Sequence, residues 1–290
     1  MSKTLIVGDL HINEHSIPEI DGICEKDIFP IESDRIIQLG DWFDKNTPSP
    51  AELKFSAELV LKLKKHYKEV IILSGTGEHD ILRGTSVVEH LESLGVRVIK
   101  GDFIDNNLLF GHWMLHESKL AFGTGKYGKK DVAQYKYVFL GHQHSPEYIP
   151  ENIYHLGSIR YVSFNEVADK KRIMFLEDDK VAPYIDLKHC IPMLDVTDVT
   201  ELQDIPFNSK VRVIFNSFDD YKKNASYVNK IGKRFFLFKV KMNFEQSKIL
   251  VEGSKKLDTC PKSNIIQSYI DKIVDKDVRQ LLLDQFKDTL

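Results

Sequence analysis

Five short apolar runs between residues 4 and 144 each stop at a glycine, an acid or a histidine. They are "TLIVGDLH", "DRIIQLGDWFD", "EVIILSGTGEHD", "NLLFGHWML" and "YKYVFLGHQH". A run of four or more apolar residues without alternation suits a strand buried on both faces, and such strands lie in sheets covered on both sides. Helical stretches separate some of them. "SPAELKFSAELVLKLKKHY" starts at Ser49-Pro50 and carries Leu53, Leu59, Val60 and Leu63 at roughly helical spacing. "SVVEHLESLG" reads as a second helix, closed by Gly95. Strands alternating with helices point to an α/β layered domain whose polar strand ends converge on one crevice.

The 290 residues allow one large domain or two, and a 42% hydrophobic, 29% charged composition is ordinary for a globular chain. A net charge of −3 excludes a globally basic nucleic-acid binder but leaves room for a local basic face. Cys24, Cys190 and Cys260 are far apart with no CxxC spacing, which argues against disulfides or a structural zinc site. The start "MSKTLIVGDLHI" is too short in apolar residues for a signal peptide, and no stretch approaches a membrane span. A cytoplasmic protein that does not enter a membrane is expected.

After about Ile153, "YHLGSIRYVSF", "KRIMFLEDD" and "VAPYIDL" read as strands completing the first domain, residues 1–190. Acidic, turn-rich sequence at "CIPMLDVTDVTELQDIP" marks a boundary. Residues 191–290 form a second, smaller domain. There "KVRVIF", helical "SFDDYKKNASYVNKIG" and "RFFLFKVKM" suggest a β-α-β unit, and Asn264 to Leu290 suggests an amphipathic helix or helix pair.

The strand ends carry Asp9 and His11, Asp41 and Asp44, Glu78 and His79, His112, then His142 and His144. Carboxylates and imidazoles bind divalent transition metals, and alternate residues of an extended segment, as in DxH or HxH, chelate from one face. Each piece alone is weak. His112 could equally be a buried histidine satisfied by a backbone carbonyl, and His116 shares its strand parity. Five pieces in order, each ending an apolar strand, are hard to obtain by accident.

The order D-x-H, G-D-x-x-D, G-N-H-[DE], H, G-H-x-H resembles that of the calcineurin-like metallophosphoesterases, written here as "GDLH", "GDWFD", "GEHD", "GHW" and "GHQH". More narrowly, the chain is similar to SbcD-type DNA repair nucleases and the related exonuclease subunit of tailed phages. "FGHWML" resembles the fourth motif of the phage branch. "YHLGSIRYVSFNEVADKKRIMFLEDD" is similar to the SbcD-type segment with a Gly-Ser turn leading into Arg, then Phe and Glu, then a strand. The resemblance covers roughly residues 1–190. It implies a two-sheet α/β/β/α metallophosphoesterase sandwich with a small α+β cap domain.

It also implies two divalent metal ions, manganese first, with magnesium or iron(II) as alternatives. One would be held by Asp9, His11, Asp41 and His144, and the other by Asp41, Glu78, His112 and His142. His79 would stand near the scissile phosphate, as acid to the leaving oxygen or as a charge stabiliser, and Asp44 would orient a ligand histidine or hydrogen-bond behind the ligands. Two such ions about 3.5–4 Å apart clamp the attacking and leaving oxygens of an in-line displacement. The implied partners are DNA, an SbcC-type ATPase subunit and a second copy of the chain.

Glu78 stands where the family has asparagine, so it either ligates the second ion or pairs with a surface lysine. Three functions stay open: a DNA nuclease, a phosphatase or phosphodiesterase on a small nucleotide-type substrate, and a non-catalytic subunit. "GKYGKKDVAQYKY" favours the first, because Lys126, Lys129 and Lys130 would neutralise phosphates and the tyrosines could stack on bases.

Overall fold

The structure is a computed structural model describing residues 3–120, 125–178 and 180–243. The first sheet opens with four parallel strands, β1 (Lys3–Val7), β2 (Arg35–Gln38), β3 (Glu69–Leu73) and β4 (Arg97–Ile99). A hairpin of two-residue strands, Ile81–Leu82 and Thr85–Ser86, lies between the last two in the chain. Next come β5 (Phe103–Asp105), β6 (Leu108–Gly111), β7 (Tyr137–Leu140), β8 (Glu147–Ile149) and β9 (Ile153–His155), which pair in the order β8-β9-β7-β6-β5. The chain then returns to the first sheet with β10 (Arg172–Glu177), antiparallel to β1, and adds β11 (Lys180–Val181) and β12 (Ile185–Asp186) against β10.

Side-chain alternation explains the layering. Leu5 and Val7 of β1, with Val70 and Ile72 of β3, enter a core that also holds Leu59, Val60 and Leu63 of the helix Pro50–His66. Their neighbours Ile6, Ile71 and Leu73 face the other way and pack with Phe103, Phe110 and Phe139 between the sheets. Strands buried on both faces therefore need no polar alternation, which is why the runs read as continuous. The result is the expected two-sheet α/β sandwich.

Helix α1 (Ile17–Ile23) precedes helix α2 (Pro50–His66). Ser49 caps α2 by accepting from Glu52 N–H, while the Glu52 carboxylate accepts from Ser49 N–H. The second expected helix is instead a 3₁₀ segment, Glu89–Leu94, ending at Gly95 in the left-handed region. Its apolar residues Val88, Leu91 and Leu94 recur every third position, the 3₁₀ period. Helix α1 and its π-helical continuation at Cys24–Ile28 were not foreseen, because Pro18 and Gly22 mask the helical pattern.

Residues 193–242 form the expected β-α-β unit with one added strand. β13 (Met193–Val196), β14 (Lys210–Phe215) and β15 (Leu237–Met242) are parallel, and helix α3 (Phe218–Gly232) links the last two. The proposed C-terminal helices from Asn264 lie outside the described residues.

This unit joins the sandwich through a buried ion pair. Lys210 Nζ lies 2.6 Å from Glu19 on α1 and donates to Tyr161 O at 2.8 Å. Both side chains are shielded from water. Removing one partner strands a buried charge, so Lys210→Met is expected to cost about 3–5 kcal/mol in urea denaturation. The double variant Glu19→Met/Lys210→Met should cost clearly less, since no charge is left unpaired.

Candidate metal centre

Strands of both sheets deliver their polar ends through unusual backbone. His11 and Asp41 (both φ +48) and His142 (φ +75) lie in the left-handed region. That turn brings each side chain back over the strand ends. Gly75 lets the loop after β3 pass against Asp41, where any Cβ would strike the Asp41 carboxylate and backbone.

Three overlapping groups of donor atoms result: Asp9, His11 and His144; His11, Asp41 and His79; Asp41, His112 and His142. Within each, the atoms lie within 4.8 Å of one another. Asp41 Oδ2 is the hub, 3.0 Å from His112 Nε2, 3.8 Å from His79 Nε2 and 3.9 Å from His11 Nε2. Across the centre, His11 Nε2 and His144 Nε2 face each other at 2.8 Å.

The backbone partner expected of a buried His112 is present, its Nδ1 meeting Leu39 O at 2.6 Å, while Nε2 lies 3.0 Å from Asp41. An N–H at Nδ1 leaves Nε2 to face Asp41. His79 is built alike: Nδ1 meets Asp44 O at 2.7 Å. Asp44 therefore orients His79 by its carbonyl, and its carboxylate comes only to 4.0 Å from His11.

The electrostatics call for a cation. Burial pushes the Asp9 carboxyl up to about 6, against the pull of His112, while Asp41 adds to the rise. Burial also acts to raise Asp41, but contact with His112 and the His112 and His11 charges outweigh it and hold Asp41 below the usual carboxylate range. Burial opposes charge on His112, yet Asp41 and Asp9 push its pKa to about 9. Two buried carboxylates thus hold a proton on His112, the positive charge that a divalent ion would supply. Burial, then the His144 charge, depresses His11. His11 Nδ1 and His112 Nε2 are buried without a hydrogen bond, the latter being near Asp41 but not aligned with it. Such orphaned nitrogens amid carboxylates fit metal coordination.

The structure does not bring every expected residue into the centre. Glu78 is exposed and belongs to none of the donor groups among the described residues. The loop explains why. Thr76 directly follows the strand-end glycine, and its N–H (2.8 Å) and hydroxyl (3.2 Å) reach Asp41 Oδ1. The N–H groups of His79, Asp80 and Ile81 then converge on Thr76 O, turning Glu78 outward. His116 is exposed, and His112 is the histidine that joins the donors. Lys126 is exposed, near Asp102 and over the Tyr127 ring. Lys129 and Lys130 open a single helical turn, and the Lys129 N–H donates to Glu117.

Sequence reasoning missed several supports. Asp80 accepts from the backbone N–H groups of Trp42, Phe43 and Gly75, locking the second and third motifs together. Arg160 and Glu166 brace the loops of His11 and His144.

Aspartates and histidines gathered at the strand ends of a two-sheet sandwich define a metal-dependent hydrolase. The calcineurin-like phosphoesterase family matches residues 2–217, and the chain belongs to it. Among solved structures, it is similar to the nuclease MPE of Pseudomonas putida, at 17% identity and a TM-score of 0.36 over 63% of this chain and 87% of that one. It is also similar to YfcE, a phosphoesterase from E. coli, at 14% identity and a TM-score of 0.34 over 64% of this chain and 100% of that one. No curated protein matches the sequence. Among the described residues no helix is long and apolar enough to cross a membrane.

With its side chain outside the donor groups, Glu78→Ala should leave manganese affinity unchanged in calorimetric titration. Under the same conditions His112→Ala should weaken the second binding event strongly. A loss in Glu78→Ala matching that of His112→Ala would return Glu78 to the ligand set.

Proposed function

We propose that the protein is a metal-dependent DNA nuclease that hydrolyses phosphodiester bonds, working beside an SbcC-type ATPase in DNA end processing, repair or recombination. The observation that carries this reading is that open clefts border the donor groups on more than one side. One, of about 230 Å³, runs from His142 and His144 past Ser163 and Asn165. Another, of about 330 Å³, runs from His112 past Trp113 to Lys100 and Lys126. A polymer needs room for nucleotides on both sides of the scissile phosphate, whereas a small substrate would favour one enclosed pocket. Lysines beside the second cleft could neutralise a neighbouring phosphate.

The residues divide the work as follows. Asp9, His11, Asp41 and His144 would hold one divalent ion, and Asp41, His112 and His142 the other, with manganese the preferred metal for this carboxylate and imidazole set. Bound ions would supply Lewis-acid polarisation of the phosphoryl oxygen and of the attacking water. His79 keeps its Nδ1 hydrogen on Asp44 O, so a proton on Nε2 requires the imidazolium form. Passing that proton to the leaving oxygen returns a neutral ring. Its side chain is about a quarter exposed, and its Nε2 lies 3.8 Å from Asp41 Oδ2.

The purified protein with manganese is expected to cleave DNA and to lose that activity on chelation. Comparing a plain aryl phosphodiester, single-stranded DNA and duplex ends separates nuclease from small-molecule diesterase. Cleavage of the aryl diester with no cleavage of any DNA form, with or without the ATPase partner, would contradict the proposal. His79→Ala should lower the rate about 10²–10⁴-fold, the usual worth of a general acid, with manganese affinity retained. Lost metal binding in that variant would place His79 among the ligands instead.

A further inference from the structure

The segment from Gly157 to Lys171 contributes no atom to the donor groups, yet it grips two loops that do. Ile159 N–H donates to Asp9 O at 3.1 Å, and Arg160 donates to Leu10 O at 3.1 Å and His11 O at 2.6 Å. Ser158 N–H and Lys171 Nζ both donate to His144 O at 3.1 Å. Behind the His144 ring lies Glu166, with Oε1 3.4 Å from Nδ1.

Glu166 is set to accept and nothing else. It is 2% exposed, and Lys171, equally buried, lies 2.6 Å from Oε2. Ser158 Oγ and Val162 N–H also donate to Oε2 at 3.2 Å, and Ser163 N–H donates to Oε1 at 2.7 Å. An ionised carboxylate carries no hydrogen, so a neutral histidine can bond to it only through its own N–H. With that N–H at Nδ1, the lone pair sits on Nε2, the atom facing His11 Nε2 across the centre. The opposite tautomer would set two lone pairs against each other at Nδ1 and turn an N–H toward any bound cation.

We propose that Glu166, held as an anion by Lys171, is a positioning residue that fixes His144 as the Nδ1–H tautomer and so aims Nε2 into the metal centre. The role in metal binding rests on the function proposed above. The tautomer itself does not, and it can be measured in metal-free protein. Glu166 also closes the turn Phe164–Glu166, so a structural effect must be separated from a positioning one. Ser163 serves as the control: its hydroxyl caps the same turn by accepting from Asn165 N–H, and among the described residues no hydrogen bond joins it to His144.

The experiment uses the full chain, with ring-nitrogen NMR of His144 at a pH where the ring is neutral, and calorimetric titration with manganese alone. The parent and Ser163→Ala should both show the Nδ1–H form and equal manganese affinity. Glu166→Gln should show a mixture of tautomers and about 10–100-fold weaker manganese binding, the usual effect of losing such a support. An Nε2–H ring in the parent would overturn the proposal. So would an unchanged tautomer in Glu166→Gln, or a Ser163→Ala variant that reproduces the loss. A parent with the Nδ1–H ring that binds no manganese would defeat the metal-centre reading while leaving the tautomer assignment standing.

Discussion

The carboxylate of Asp41 sits within 3.0–3.9 Å of three imidazoles and is almost fully withdrawn from water. Such a group is costly to bury unless everything around it is fixed. Its backbone turns into the left-handed region directly after Gly40, and the loop after β3 closes over it through Thr76. Asp80 then ties that loop to the next two residues, Trp42 and Phe43. The Trp42 indole donates to Ser56 of α2 at 2.7 Å, so the centre is continuous with the helical layer.

The remaining donors follow from the second sheet. Parallel pairing of β6 with β7 places Gly111 beside Leu140, so His112 and His142 leave adjacent strands at the same level. Parallel pairing of β1 with β2 does the same for the ends that lead to Asp9 and Asp41. Packing of the two sheets, with Ile6, Ile37 and Leu39 against Phe110 and Phe139, brings these pairs together. The hydrophobic core thus overcomes the cost of crowding like-charged and desolvated groups. The charge balance that results, two carboxylates holding a proton on His112, is what a divalent cation can replace.

Much of this was legible in the sequence because the donors lie where apolar runs stop, and a run buried on both faces shows its ends plainly. The helix at Pro50 was equally plain, since its cap and its periodicity agree. What escaped was long-range or locally disguised. Arg160 reaches carbonyls 149 and 150 positions away, and no local pattern announces such a bond. The order of Gly157, Ser158, Arg160 and Glu166 gave a hint, without showing that these residues brace His11 and His144. Glu78 precedes His79 where the family has asparagine, but no local pattern shows that the loop turns it outward and sets Thr76 beside Asp41.

The most direct test of the account is anomalous diffraction from crystals of the full chain soaked in manganese. Two peaks are expected, both beside Asp41, one touching Asp9, His11 and His144 and the other His112 and His142. A fully soaked crystal with no peak among these residues, or with its ions bound elsewhere, would contradict the assignment of this cluster as the metal centre.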